Sequence, residues 1–165
     1  MEEIWIDVFE FPNYSVSNHG RVRNNERERL VKLSKTKQGA MKVNFALRGR
    51  QYTRSVKVLV AENFVDGRTY IFDTPMHLDG NQENNNSDNI VWRPRWFALK
   101  YFRQFNKKNL YTKKNPIVDK QTGEIYDCIF DAATANGLLC SAILIEIVNQ
   151  TPMFPTGQIF DWVKK

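Results

Sequence analysis

His77 stands where an imidazole can do proton chemistry. It follows Thr74-Pro75-Met76 and precedes Leu78 and Asp79-Gly80, after which a polar loop with three successive asparagines, Asn84 to Asn86, runs to Asn89. Ile90-Val91-Trp92 close the stretch. An imidazole is the side chain nearest half-protonation at neutral pH without help, so it can take a proton from water. Asp79-Gly80 is a strong turn pair, and Arg93-Pro94 reads as a helix entrance because proline is well tolerated at the first helical position. The stretch therefore predicts a strand, a tight turn, an asparagine-pinned loop, a short strand and a helix.

That order, with His-x-Asp-Gly-Asn, Asn-Asn and Asn-x-x-Trp in succession, resembles the ββα site of HNH endonucleases in the version whose last histidine is asparagine. The resemblance implies that His77 is the catalytic base and that Asn89 is the mid-loop asparagine whose amide pins the loop and orients that base. It implies one divalent ion, Mg2+ or Mn2+, if the chain cuts, and none otherwise. The family carries Asp or Asn just before the histidine, where this chain has Met76. Its second ligand lies six residues past the tryptophan, where this chain has Ala98. A thioether and a methyl group do not replace hard oxygen ligands. His77 thus has two readings, catalytic base or structural remnant, and the identity of any metal ligand stays open.

The elements that must position this stretch lie on both sides. Toward the N-terminus, Trp5, Tyr14, Val16, Ser17, Asn18, Gly20, Arg21, Val22 and Arg23 match the Glu-x-Trp and Tyr-x-Val-Ser-Asn-x-Gly-Arg-Val-Arg pattern of the small β module found in front of HNH domains in phage and intron-encoded homing endonucleases. Trp5 and Val16 are expected in its core. Asn24 to Lys37 lacks period and reads as a loop or solvated hairpin arm. Met41–Leu47 and Gln51–Val58 alternate around Arg48-Gly49-Arg50 as a hairpin, with Arg48, Arg50 and Arg54 pointing outward. Val56–Val65 reads as a helix that packs Val60 and Phe64 inward. The family shows Val-His-Arg-Leu-Val-Ala here and this chain has Val56-Lys57-Val58-Leu59-Val60-Ala61, with a cation in place of the histidine.

Beyond Pro94 a helix is expected to about Phe105. On a helical projection Arg93, Lys100, Arg103 and Lys107 fall within about 80° of one another, with Phe97, Leu99, Tyr101, Phe102 and Phe105 covering the rest as core and Trp96 at the border. Asn106 to Asn115 reads as an extended basic linker. Pro116 to Tyr126 reads as a hairpin, Phe130–Ala135 and Ser141–Asn149 as a helix-turn-helix, and Gln158–Val163 as a closing strand.

The net charge of +6 over 165 residues is unevenly spread. Residues 1–91 hold 13 Lys/Arg against 12 Asp/Glu, whereas residues 92–114 hold eight Lys/Arg and no acid. Residues 115–165 hold three against six, a net charge of −3. A nucleic-acid footprint belongs in the middle. The candidate DNA-contacting residues are Arg21, Arg23, Arg48, Arg50, Arg54, Arg93, Arg95, Lys100, Arg103, Lys107, Lys108, Lys113 and Lys114. A solvated face accounts equally for the hairpin arginines. The helix Ser141–Asn149 offers Ser141, Glu146 and Asn149 but no cation, which suits DNA poorly and suits a protein partner or self-association better.

No apolar run reaches the roughly 18 residues a membrane span needs, and no N-terminal signal pattern appears, so a soluble cytoplasmic protein with no membrane partner is expected. Cys128 and Cys140 form no CxxC pair, and reduced thiols without a zinc knuckle are expected. The expected fold is α+β: an N-terminal β module plus helix over residues 1–66, a ββα HNH-like segment over 67–105, a basic linker over 106–115, and a hairpin with helix-turn-helix over 116–165. The expected function is binding of double-stranded DNA with metal-dependent cleavage or nicking, weak or lost. The alternative is a phage- or bacterium-type intracellular regulator that binds DNA or protein without cutting.

Overall fold

The computed structural model describes residues 2–163, without the side chains at 107 and 108. The chain forms two compact units, residues 1–95 and 96–165. In the first, β1 (Trp5–Val8), β2 (Phe11–Ser17), β3 (Val22–Asn24) and β4 (Arg29–Leu30) make an antiparallel sheet in that order. β5 (Ser34–Lys35), β6 (Met41–Leu47) and β7 (Arg50–Ser55) make a second. The β6–β7 register sets Leu47 opposite Arg50, leaving Arg48 and Gly49 as a two-residue loop. Their φ values of +49° and +74° define the left-handed turn that matches strand twist.

The chain then enters α1 (Val56–Phe64), β8 (Thr74–His77), a 3-10 turn over Ser87–Asn89, and β9 (Ile90–Arg93), with β8 and β9 pairing antiparallel. One apolar cluster joins Val8, Phe11, Tyr14, Val16 and Val22 of the first sheet to Val43 and Phe45 of the second. The same cluster takes in Val56, Leu59 and Val60 of α1 and Ile90 and Trp92 of β9. Phe45 is its centre, stacked on Phe11 at 4.5 Å and tilted against Tyr14 at 4.8 Å. The Trp92 indole N–H donates to Val65 O at 2.9 Å and ties β9 to the end of α1.

Trp5 departs from the expected core. β1 is an edge strand, and its indole is half-buried beneath the guanidinium groups of Arg23, at 4.6 Å, and Arg21, at 5.8 Å. Val16 is fully buried as expected.

In the second unit α2 (Arg95–Gln104) buries Phe97, Tyr101 and Gln104, a narrow i, i+4, i+7 stripe. Trp96, Leu99 and Phe102, expected at the border or in the core, are exposed. The stretch after α2 is also not uniformly extended: residues Phe105–Leu110 coil into a 3-10 turn. Phe105 packs edge-on against Tyr101 and Phe130, each at 5.5 Å, which holds that turn close to the unit's core. β10 (Ile117–Asp119), β11 (Ile125–Tyr126) and, after α3 (Ile129–Asn136) and α4 (Cys140–Asn149), β12 (Phe160–Trp162) form an antiparallel sheet in the order β11-β10-β12. Gly137, at φ +62°, ends α3 in the left-handed conformation that favours glycine. Cys128 and Cys140 are buried free thiols, and burial pushes the Cys140 thiol up to about 12. No helix among the described residues is long and apolar enough to cross a membrane.

Phe45→Ala is expected to cost about 3–5 kcal/mol, because it deletes a fully buried ring that two aromatic neighbours cannot follow into the void. Urea unfolding of the variant beside wild type measures this.

Candidate active site and charged surface

The loop between β8 and β9 is built from side chains that act as backbone. Asp79 opens it by accepting Asn81 N–H through Oδ1 at 2.8 Å, and Asn81 Oδ1 accepts Glu83 N–H at 3.0 Å. These short Asx turns make the chain reverse without a sheet. Asn89 closes it. Its amide donates to Asp79 Oδ1 at 2.9 Å and Asn84 O at 2.8 Å, while its oxygen accepts Asp79 N–H at 3.1 Å. The Asn84 amide adds a bond to Asp79 Oδ2 at 2.8 Å. Burial alone would raise the Asp79 carboxyl, but the bonds from Asn84, Asn89 and the Asn81 N–H together hold it below the ordinary carboxylate value.

Asn89 therefore pins the loop, as its position suggested, but it does not meet the base. Asn85 does. His77 is buried, and its Nε2 lies 3.0 Å from Asn85 Oδ1. The Asn85 amide nitrogen already donates to Glu83 O at 3.2 Å and Gln82 O at 3.4 Å, so its oxygen faces the ring and can only accept. Nε2 must then carry the proton, which leaves Nδ1 with its lone pair. Among the described residues Nδ1 has no hydrogen-bond partner, and no fully buried side-chain polar atom lacks one, so Nδ1 is not sealed from solvent. In sequence the three asparagines Asn84 to Asn86 are equivalent; only the turn geometry singles out the middle one.

A second residue escaped sequence reasoning. Lys57, one residue into α1, shares a helical face with the fully buried Val60 and Ala61. It has no acidic partner among the described residues. Burial lowers its ammonium below the usual lysine value. Burial, the largest cause, also lowers the His77 imidazole; the Asn85 bond opposes it in part, the positive charge of Lys57 lowers it a little further, and the Asp79 charge raises it least. His77 thus keeps its neutral, proton-accepting form to lower pH than a free imidazole does.

HNH nucleases generally use a divalent metal ion. The donor set here does not fit one at the expected positions. Met76 presents a buried thioether, Ala98 a methyl group, and both oxygens of Asp79 are already engaged in the loop. No cluster of three His, Cys, Asp or Glu side chains stands among the described residues.

The candidate DNA-contacting cations fall into three groups. Arg21 is ion-paired with Glu3, and Arg54 with Glu10 at 2.7 Å while its guanidinium covers Phe11. Arg23 stacks on Trp5, and Arg93 Nη1 donates to Trp92 O at 2.9 Å. Arg48, Arg50, Arg95, Lys100, Arg103, Lys113 and Lys114 are exposed, and the side chains of Lys107 and Lys108 lie outside the described residues. In the second unit an open groove brings Lys100 and Arg103 of α2 alongside Asn106, Tyr111 and Ser141 at the start of α4. The helix that lacks cations of its own has those of α2 beside its N-terminal end.

Taken with its sheets, the strand–loop–strand around a buried, amide-anchored histidine, followed directly by a helix, defines the ββα class of nuclease scaffold. Residues 3–46 match the NUMOD4 motif. Two uncharacterized HNH endonucleases of Acanthamoeba polyphaga mimivirus are similar to it, one 35% identical over 88 residues and the other 32% identical over 85. The alignments take in 53% and 52% of this chain but 26% and 21% of those proteins, so the chain spans about a quarter of their length. The solved structure titled DNA binding and cleavage by the HNH homing endonuclease I-HmuI superposes over 100% of this chain and 99% of its own, with TM-score 0.56 and 22% identity. At that identity the likeness shows a shared fold. By motif and relatives the chain is similar to HNH endonucleases, and it shares the fold of an HNH homing endonuclease.

Two outcomes follow. Asn85→Ala strands a buried Nε2–H and is expected to cost about 1–3 kcal/mol in urea unfolding. The pH dependence has a definite sign. The folded imidazole lies below the unfolded value of about 6.5, so the unfolded chain binds the proton first as pH falls. The stability His77 contributes is complete above about pH 6.5 and is lost as pH falls from there through the folded value. His77→Gln should flatten this part of the stability–pH curve.

Proposed function

We propose that the chain binds double-stranded DNA as a homing-endonuclease-type protein and carries an HNH site in which His77 is the base. The observation that carries this reading is the Nε2 anchor on Asn85, which leaves Nδ1 as a bare acceptor. In phosphodiester hydrolysis Nδ1 takes a proton from water, the hydroxide oxygen bonds to phosphorus, and the bond to the departing sugar oxygen breaks. Cleavage is weak or lost in the chain as it stands, because the Met76 and Ala98 positions supply no hard ligand for Mg2+ or Mn2+. DNA binding and cleavage by I-HmuI, the homing endonuclease whose fold this chain shares, supports the substrate class.

Contact with phosphate is assigned first to the acid-free stretch 93–114, with Lys100 and Arg103 at the groove beside Ser141, and secondarily to the hairpin arginines. The pairs of Arg21 and Arg54 are surface pairs, worth at most about 1 kcal/mol each, so phosphate can displace the carboxylates. A second reading has its own observation. Leu144, Ile145 and Val148 of α4 are exposed, Val148 at 81%, which supports a non-cutting regulator that meets a protein or a second copy through residues 116–165.

DNA affinity should fall with salt at a log–log slope of about −0.9 per neutralised phosphate. Charge reversal of Arg93, Lys100, Arg103 and Lys107 together should abolish binding; wild-type affinity in that variant, measured by fluorescence anisotropy, would show a merely solvated stripe. In a plasmid assay with magnesium or manganese, Met76→Asp with Ala98→Asn should raise nicking, and adding His77→Ala should cancel the gain. Robust cutting by the unmodified chain would refute the reading of a defective metal site.

A further inference from the structure

The N-terminal β module touches the loop that aims His77. Gly20, at φ +76°, lies against Asn85 so closely that an added Cβ would stand 2.6 Å from Asn85 Cβ, 2.9 Å from its carbonyl oxygen and 3.2 Å from its carbonyl carbon. Carbon atoms in contact sit about 3.5–4.0 Å apart, so no side chain fits there unless Asn85 moves. Two residues away, Asn18 O accepts Ser87 N–H at 2.7 Å. The turn and the loop therefore meet twice, across more than 60 residues of sequence.

The turn is rigid enough to act as a seat. Asn18 is buried, and its side chain accepts Ile4 N–H at 2.9 Å and donates to Glu2 O at 3.0 Å, which ties the turn to the start of β1. Ser17, fully buried, accepts Arg21 N–H at 3.1 Å and His19 N–H at 3.3 Å through Oγ, and its carbonyl accepts Gly20 N–H at 2.9 Å. Within the loop, Asp79, Asn84 and Asn89 bind one another, whereas the bonded partner of the imidazole is Asn85. We propose that the Ser17–Gly20 turn is a positioning element for the active-site histidine: it seats the backbone of Asn85, and through that amide it fixes the tautomer and direction of the His77 ring. The motif of the N-terminal module thereby has a role in the site besides contact with DNA. The proposal rests on the reading of His77 as the base, but its test does not require cutting.

The full chain, labelled with 15N, is observed at neutral pH through long-range proton–nitrogen correlations of the imidazoles, with His77 assigned by its loss in His77→Gln. Wild type should show a fixed Nε2–H tautomer for His77. Gly49→Ala is the control, since Gly49 has φ +74° and nothing within 4 Å, so it carries the same backbone strain without a neighbour. Gly49→Ala should keep the wild-type His77 signals. Gly20→Ala and Asn85→Ala should both lose the fixed tautomer and give averaged nitrogen shifts. A folded Gly20→Ala with wild-type His77 signals would overturn the proposal. If Gly20→Ala does not fold, Ser87→Pro decides. Asn86 before it is extended at ψ 137° and Ser87 opens the 3-10 turn, so proline fits and removes only the N–H given to Asn18. Displaced His77 signals in Ser87→Pro support the proposal, and unchanged ones reject it. If adding His77→Ala to the Met76→Asp, Ala98→Asn variant leaves its nicking unaltered, the reading of the base fails while the imidazole spectra still report on the turn.

Discussion

A buried imidazole cannot leave its N–H unbonded, and most of what surrounds His77 follows from satisfying that one proton. The acceptor is an amide oxygen, and an amide can rotate to present nitrogen instead, so the acceptor itself needs holding. The Gln82 and Glu83 carbonyls do this by taking both hydrogens of the Asn85 amide. Those carbonyls sit where they do because Asp79 and Asn89 close the loop behind them. The result is a ring whose protonated side is turned inward and whose basic side is not. Three layers of hydrogen bonds thus convert a flexible polar segment into a device with one allowed tautomer.

The electrostatics of the same region are asymmetric. Polar groups crowd the loop, whereas the strand beneath carries Met76, and the partly buried Lys57 adds a cation with no acidic partner among the described residues. Removing an ammonium from water without a counter-ion is costly, and the protein offsets it elsewhere in its core. Such an arrangement disfavours a second cation nearby and favours an anion. Burial first, with the Lys57 charge adding to it, favours the neutral form of His77.

The second unit shows why formal charge is a poor guide to a surface. The net −3 of residues 115–165 counts Asp119, but that carboxylate is fully buried, accepting from Gln121 N–H and from the Gln158 amide, which also donates to Asn136. Gln104, at the end of the basic helix, reaches into the same unit, donating to Leu138 O at 3.3 Å and accepting Cys140 N–H at 3.0 Å. One of the acids is therefore spent inside, and α4 has its first turn fastened to the helix that bears the cations. The exposed face is less acidic, at its α2 side, than a count along the chain suggests.

Sequence by itself determined the elements. Alternation around Arg48-Gly49 specified a hairpin, Asp79-Gly80 a reversal, Pro94 a helix start and Gly137 a helix stop, because each rests on the backbone preferences of a few neighbouring residues. It also determined that Met76 and Ala98, at the two positions where the resemblance expects metal ligands, lack oxygen, since that is a matter of side-chain identity. Tertiary structure alone decided which of three consecutive asparagines meets the histidine, that Trp5 lies under arginines at a sheet edge, that Lys57 is partly buried, and that Gly20 is held against Asn85. These depend on distances between residues far apart in the chain, and local preference carries no information about them. A glycine in a turn reads as conformational freedom; only the fold reveals that its missing side chain makes room for the residue that aims the base.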